Sequence, residues 1–306
     1  MAALHPLLQR NTSNLGRQSY TSVFAGDEFF LADHRVGGQR VLPAVAHLEM
    51  ARAALLDAMP QDLPSRHVEL RHVVWAQPIV ARDGARVEID VYAEDATRLG
   101  FEICSREAED AEEIVNCQGT CVLVDKPAPQ RLDLETLRSR MQRPVLDGGV
   151  LYPLFATLGL EYGPAFQGIA AVHRGECELL VELKLPDALR EARADYVLHP
   201  SLMDSALQGS ITLIDDVLRA CGKPSLPFAL ESLRIFAACT ERMVAWVRPA
   251  EGAAPAASGL VKVDIDLCDA DGQVCVQMRG FSSRSAAGVR SLDDVAADLV
   301  AQNSRR

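Results

Sequence analysis

The sequence predicts an α+β fold built from two units, each with one long buried helix wrapped by an antiparallel sheet. Three observations predict this fold. Residues 43–59 and 200–220 each begin with a proline and carry apolar residues at helical spacing. Several short segments of strand character accompany each helix. A polar, proline-rich segment at residues 125–130 separates the two sets and is typical of a linker.

The first unit begins with a short strand at residues 19–24, where apolar and polar residues alternate. In the helix at 43–59, one face carries Val45, Leu48, Ala51, Leu55 and Leu56. Strand-like segments then follow at residues 67–79, 86–94, 100–106 and 114–124. A helix followed by several such strands is typical of a sheet wrapped around that helix.

The second unit has the same elements in a different order. A polar helix is predicted at residues 132–141, and the second long helix at 200–220. Strands are predicted at residues 169–174, 176–185, 228–236, 243–248, 260–267 and 274–281. No residue-level repeat relates the halves, so their similarity is inferred from element order alone. We therefore expect an N-terminal unit at 1–124, a linker at 125–145, a C-terminal unit at 146–285 and an interdomain linker tail at 286–306.

Composition narrows the function classes. The 306 residues are 48% hydrophobic and 24% charged, which is ordinary for a globular protein. The net charge is −11, which argues against nucleic acid or an anionic membrane as a partner. A local arginine patch can still dock an acidic protein. No apolar run reaches the roughly 18 residues needed to span a bilayer.

The eight cysteines show no CxxC pair and no histidine at zinc-like spacing from Cys117 and Cys121. In a strand, these two cysteines would point to the same face, as core residues do. Because the sequence shows no signal peptide, we expect reduced, buried thiols in a cytoplasmic protein.

His34 is the first candidate for chemistry. It opens the segment HRVGGQRVLP, which leads into the first long helix. Its imidazole can accept a proton near neutral pH. Backbone N–H groups near Gly38 and the helix start could bind a developing oxyanion. A lone histidine before a helix is more often a cap or a packed side chain, so this segment alone does not establish catalysis.

Asp204 is the second candidate, near the start of the second long helix. Gln208 lies four residues on, on the same helix face. An amide partner and apolar surroundings can raise the pKa of a carboxyl group, which suits a proton donor. The helix dipole would instead lower that pKa, and Ser201 would serve as an ordinary helix cap. The direction of the net shift stays open at this point.

Two further segments have ordinary structural explanations. LEYGPAFQ at residues 160–167 is typical of a tight turn with an aromatic residue on each side, and LPFA at 226–229 of a strand entrance. Together, the four segments closely resemble the dehydratase domain of modular polyketide synthases, most nearly the type whose acyltransferase acts in trans. The family motif HxxxGxxxxP is matched by His34, Gly38 and Pro43, and the motif YGPxF by Tyr162, Gly163, Pro164 and Phe166. The motif DxxxQ/H is matched by Asp204 and Gln208, and the motif LPF by Leu226, Pro227 and Phe228. The four motifs occur in family order.

The resemblance implies a double hotdog fold with His34 and Asp204 facing each other across one tunnel. It implies that His34 removes the C2 proton of a 3-hydroxyacyl thioester while Asp204 protonates the departing C3 hydroxyl. The thioester carbonyl would be bound near Gly38, and Tyr162 and Gln208 would support hydroxyl binding and orient Asp204. Ala44 departs from the glycine that is common at its position, which could alter the helix entry.

The resemblance also implies partners. The substrate would arrive on the phosphopantetheine of an acyl carrier protein, which exposed arginines near the tunnel mouth would dock. The domain itself would need no metal and no nucleotide cofactor. It would work beside neighbouring polyketide synthase domains, and homodimers are common in the family.

Three alternatives stay open. A dehydratase that also cyclises its product would keep both His34 and Asp204. Double-bond isomerases and pyran synthases of this fold often have altered motifs, whereas here the motifs are intact. A non-catalytic, carrier-protein-binding module is the alternative of another class, and the intact pair argues against it.

Overall fold

The computed structural model describes residues 3–59, 66–81, 84–95, 97–106, 112–125, 128–218, 225–251 and 261–285. In the first half, the predicted long helix and strands are confirmed with shifted ends. The elements of this half are β1 (Arg10–Asn11), β2 (Gln18–Phe24), α1 (Phe29–Ala32), β3 (His34–Val36), β4 (Gln39–Arg40), α2 (Ala44–Ala58), β5 (Arg66–Trp75), β6 (Ala85–Ala93), β7 (Arg98–Arg106) and β8 (Ile114–Asp125).

The second half likewise confirms its long helix, its polar helix and its strands. In the described part of this half, three short 3₁₀ turns also occur, at Pro164–Phe166, Asp187–Leu189 and Glu191–Asp195. The elements are α3 (Leu134–Ser139), β9 (Arg143–Asp147), α4 (Gly148–Thr157), β10 (Leu160–Tyr162), β11 (Ile169–Arg174), β12 (Leu179–Lys184), α5 (Pro200–Leu218), β13 (Ser225–Ile235), β14 (Arg242–Pro249), β15 (Val261–Asp269) and β16 (Val274–Ser285).

Within the described ranges, thirteen strands form one antiparallel sheet that spans both halves. The first half contributes β1-β2-β6-β7-β8-β5, and the second contributes β13-β16-β15-β14-β12-β11-β9. The halves join where β5 pairs with β13, with Leu70 opposite Leu233. The expected boundaries at 1–124, 125–145 and 146–285 stay a prediction, and the expected tail at 286–306 lies outside the described residues.

The two long helices lie inside the sheet and pack against each other. α2 packs on β5, β6 and β7, and α5 packs on β11, β12, β14 and β15. Every residue from Val45 to Ala51 in α2 is buried, because this helix has neighbours on all sides. Pro43 precedes α2 as its N-cap residue, with a φ of −57° that suits the entry to a helix.

Helix α4 and the small sheet β10-β3-β4 were not predicted from the sequence. Gly148, Gly149 and the internal Pro153 argue against a helix by their own preferences. The helix forms because the Asp147 side chain accepts a hydrogen bond from a first-turn N–H and because Phe155 is fully buried. Tertiary packing here outweighs local preference.

The thiol prediction was wrong at one position. Cys117 and Cys121 are buried, as are the other described cysteines except Cys177, which is exposed. Cys177 lies in the turn closed by the hydrogen bond from the Gly175 N–H to the Glu178 carbonyl, where no strand can bury it. In the described part of the chain, no helix is long and apolar enough to cross a membrane.

Candidate active site

His34 is the first residue of β3, and its side chain is buried. Its Nδ1 lies 2.7 Å from the carbonyl oxygen of Val41. Because a carbonyl oxygen can only accept, we assign the ring hydrogen to Nδ1. The other ring nitrogen, Nε2, lies 3.9 Å from Oδ1 of Asp204. Nε2 of His34 therefore faces the carboxyl group, and in the neutral ring it is the nitrogen that can accept a proton.

Gly38 is separated from the helix start by β4. With Gly37 it forms the two-residue turn between β3 and β4, where φ is +58° at Gly37 and +77° at Gly38. Such a turn needs positive φ at both positions, which glycine adopts without strain. Gly38 therefore occupies a hairpin turn that precedes β4. Its binding of a thioester carbonyl stays a prediction.

Asp204 lies in the second turn of α5 and is buried. Burial raises the pKa of its carboxyl group above its usual value, although the charge of His34 and the hydrogen bond from Gln208 act in the opposite direction. The Gln208 amide donates to Oδ2 of Asp204 at 2.8 Å and to the Phe166 carbonyl at 3.1 Å. The question left open by the sequence is thereby answered, since the net pKa shift is upward.

The alternative in which Ser201 caps the helix is wrong. α5 begins at Pro200, so Ser201 lies inside the helix. Its hydroxyl is buried and has no hydrogen-bond partner in the described part of the structure. Ser201 therefore leaves the N-terminal N–H groups of α5 to other partners.

The YGPxF segment reaches the site through strand pairing. In the pair β10–β3, Tyr162 lies directly opposite His34, and the centroids of their rings are 5.6 Å apart. Burial raises the pKa of Tyr162 well above its usual value, so its hydroxyl keeps its proton. The ring of Phe166 packs against His34 at 5.3 Å. The segment therefore forms one side of the histidine's surroundings.

Gly163 and Pro164 act at the backbone of this turn. The Gly163 N–H donates to the Asp33 carbonyl at 2.8 Å, and a Cβ at Gly163 would overlap the Asp33 carboxyl group. The Asp33 carboxylate in turn accepts from the Ala165 N–H at 2.8 Å. Pro164 begins the 3₁₀ turn that carries Phe166. Gly163 and Pro164 therefore fix the backbone of the turn that carries Phe166.

One cavity of about 650 Å³ contains the histidine and the carboxyl group. That volume lies within the usual range for small-molecule sites. Of the residues proposed from the sequence, His34, Tyr162, Asp204, Gln208, Leu226 and Pro227 line this cavity. The remaining ones lie outside its lining, namely Gly38, Pro43, Gly163, Pro164, Phe166 and Phe228.

Sequence reasoning missed several lining residues. Trp75 lines the cavity from the end of β5, and its indole N–H donates to the Ala44 carbonyl at 3.1 Å. Phe281 and His47 also line it. Arg284 does so from β16, with its guanidinium over the Phe228 ring at 4.7 Å. No local pattern marks these residues, because the cavity is formed between segments from both halves.

The arrangement provides an acid–base pair. Nε2 of the His34 imidazole lies 3.9 Å from the Asp204 carboxyl group, whose pKa is raised. Two groups of opposite proton-transfer role at one site are the requirement for removing a proton and protonating a leaving group in one elimination.

Comparisons with known proteins identify the family of this chain. The family model described as polyketide synthase dehydratase domain matches residues 5–106, and the model described as polyketide synthase dehydratase N-terminal domain matches residues 129–293. The Bacillus subtilis polyketide synthases PksM and PksN are each 38% identical to this chain, over 93% and 94% of its length. The chain spans only 7% and 5% of those two relatives.

Solved structures are similar over nearly the whole chain. A dehydratase domain of a trans-AT polyketide synthase from Brevibacillus brevis is 39% identical with a TM-score of 0.88, covering 94% of this chain and all of that one. The dehydratase domain of RzxB from Pseudomonas fluorescens is 29% identical with a TM-score of 0.82, covering 92% and 99%. The fold is thus a double hotdog, and the chain belongs to the polyketide synthase dehydratase family, as a hydro-lyase domain of the trans-acyltransferase type.

Proposed function

We propose that this domain dehydrates a 3-hydroxyacyl thioester carried by an acyl carrier protein, and that the product is the 2,3-enoyl thioester. The observation that carries the proposal is the position of His34 and Asp204. They belong to different halves of the chain, yet they lie 3.9 Å apart in one cavity.

His34 is the proposed base. Its Nε2 takes the C2 proton, and the electron pair of that C–H bond forms the new C2–C3 double bond. The hydrogen bond from Nδ1 to the Val41 carbonyl fixes the orientation of the ring. At C3, the C–O bond breaks and the hydroxyl leaves.

Asp204 is the proposed acid. It donates its proton to the departing hydroxyl, which leaves as water. The raised pKa favours a carboxyl group that holds this proton before the reaction. The proton on His34 can then return to Asp204, which restores both groups. Gln208 would hold the carboxyl group in place, and the Tyr162 hydroxyl would bind the leaving group from the cavity wall.

Arg284 supports the carrier-protein part of the proposal. It is exposed and lines the cavity, and among the described residues its guanidinium donates one hydrogen bond, to the Ala76 carbonyl at 3.1 Å. A guanidinium has five N–H donors, so others can bind the phosphate of a phosphopantetheine arm. We further propose that the domain acts in the cytoplasm beside neighbouring synthase domains, without a cofactor of its own. A homodimer stays a prediction.

The test is turnover of a 3-hydroxyacyl thioester on a carrier protein or a short pantetheine mimic, followed by mass spectrometry. We expect loss of water with the wild type. With His34→Ala or Asp204→Asn, the rate should fall at least about a hundredfold, since each removes one partner in proton transfer. Wild-type turnover in both variants would refute the mechanism. A substrate with a distal hydroxyl tests cyclisation, because the ring product has the same mass but different chromatography.

A further inference from the structure

Glu49, in the middle of α2, is a fully buried carboxylate behind the active site. It is not among the residues that line the cavity. Arg52, one turn further along α2, donates to both of its oxygens, at 2.7 and 2.8 Å. Burial by itself would raise the pKa of Glu49, but the bonds from Arg52 and His5 hold it below its usual range. Glu49 is therefore a buried charge with strong partners, and the dehydration mechanism does not use it.

The N-terminal segment supplies a third side-chain donor. Nδ1 of His5 accepts a hydrogen bond from the Leu7 N–H at 3.1 Å, so the ring hydrogen belongs on Nε2. That Nε2 lies 3.2 Å from Oε1 of Glu49. The His5 ring also packs edge-on against Tyr196 at 5.3 Å. The N-terminus thus contacts both Glu49 and the chain that leads into α5.

The remaining donors to Glu49 come from the opposite half. The Val197 N–H donates to Oε1 at 2.9 Å, and the Leu198 N–H donates to Oε2 at 3.0 Å. These residues directly precede α5, which begins at Pro200. Asp204 lies only roughly 6 Å further along the helix axis. Glu49 therefore ties α2 to the start of the helix that carries Asp204.

Aromatic packing links the same region to the histidine. His199 packs against Tyr196 at 5.1 Å and stacks on Phe29 at 5.9 Å. Phe29 stacks on Phe166 at 6.1 Å, and Phe166 packs on His34 at 5.3 Å. A shift at the start of α5 would therefore move both the carboxyl group and the surface against which the His34 ring rests.

We propose that Glu49 is a positioning residue for the dehydration, which sets the separation of His34 and Asp204 by holding the start of α5 against α2. The inference rests on the proposed function. Proton transfer in a bound substrate depends steeply on distance, so a misplacement of about 1 Å can lower a rate on the order of a hundredfold. Glu49 acts through Asp204 and needs no contact with the substrate.

Glu69 offers a matched control. It is buried like Glu49, and it also joins the two halves, because it accepts hydrogen bonds from Arg71 and from Arg234, each at 2.8 Å. Arg234 belongs to β13, so this contact joins the neighbouring strands β5 and β13 of one sheet and does not involve α5. A general effect of removing a buried charge between the halves should appear equally at Glu69.

The experiment compares Glu49→Gln with Glu69→Gln in thermal unfolding and in kcat and KM for the thioester mimic. We expect Glu49→Gln to lower kcat about tenfold to a hundredfold, while KM stays within about twofold because the cavity lining is unchanged. Glu69→Gln should keep the wild-type kcat. Wild-type kcat in folded Glu49→Gln, or an equal loss in Glu69→Gln, would overturn the proposal.

If Glu49→Gln does not fold, Val197→Pro removes one backbone donor and leaves Glu49 intact. Tyr196 already has φ −127° and ψ 139°, the backbone region required before a proline. A crystal structure of either variant should show Nε2 of His34 and Oδ1 of Asp204 further apart than 3.9 Å. An unchanged distance overturns the inference even if the wild type is inactive, whereas wild-type inactivity alone refutes only the proposed function.

Discussion

Nε2 of His34 lies 3.9 Å from Oδ1 of Asp204, at the meeting point of two halves that each contribute one of the residues. The distance is longer than a hydrogen bond, so the two groups do not share a proton directly. Substrate atoms can therefore bridge them. The protonation state of each group then depends on its own surroundings, and these can be changed one at a time.

Replacing Asp204 with Asn should change how stability depends on pH. The folded-state pKa of Asp204 is raised, so the folded protein holds this proton more tightly than the unfolded chain. The resulting stabilisation is fully present below the unfolded pKa of about 3.9 and is lost as pH rises through the raised folded pKa. An asparagine side chain does not titrate, so the variant loses no stability over this pH range.

Asp204→Asn should therefore gain stability relative to the wild type as pH rises through that window, by about 1.4 kcal/mol for each unit by which the folded pKa is raised. Denaturant unfolding of both proteins between about pH 4 and pH 8 measures this difference. If the two stability curves stay parallel over this pH range, burial does not raise the pKa of the Asp204 carboxyl group.

Replacing Gln208 with Leu should lower kcat about tenfold, since a hydrogen bond to a carboxyl group is lost and Asp204 becomes less well held. The same bond lowers the pKa of Asp204, so its loss should move the alkaline limb of the pH–kcat profile to higher pH. Gln167→Leu is the control, because Gln167 is exposed and donates to the Tyr162 carbonyl without contacting Asp204. If the alkaline limb of Gln208→Leu does not move, the Gln208 amide does not lower the pKa of Asp204.

Replacing Gly163 with Ala should destabilise the fold by about 1–3 kcal/mol, because the new methyl group overlaps the Asp33 carboxyl group. The backbone of Gly163, with φ −74°, accepts any residue, so the effect would be purely steric. In Gly16→Ala the nearest contact is Asn14 Oδ1 at an ordinary 3.6 Å. That variant should unfold within about 0.5 kcal/mol of the wild type. Equal unfolding free energies for the two variants would remove the steric explanation.

Replacing Arg284 with Gln should raise KM about tenfold for a substrate on a carrier protein, because a charge-assisted contact with phosphate would be lost. KM for a short mimic without phosphate should not change, and neither should kcat. Arg10→Gln is the control, since Arg10 is exposed on β1 at one edge of the sheet. Equal KM changes for both substrates would show that Arg284 acts on the acyl group instead.

The long helices, most strands and the residues of the four motifs could be predicted from the sequence. Apolar spacing, the starting prolines and the i, i+4 relation of Asp204 and Gln208 are local, so they need no knowledge of the fold. The three-stranded sheet could not be predicted, because the pairing of Tyr162 with His34 joins distant segments. Helix α4 was missed because packing around Phe155 outweighs the preferences of Gly148 and Pro153.

By itself, the sequence determined the two long helices and most of the strands, since these follow from local periodicity. The residues that are proposed to carry the chemistry were indicated by the resemblance of four motifs to one family. Only the tertiary structure decided that Gly38 belongs to a hairpin turn, that Ser201 is not a cap, and that the pKa of Asp204 is raised. Each of these depends on burial or on a contact between residues far apart in the chain. The separation of His34 and Asp204 is of the same kind, because it is set where the two halves pack together.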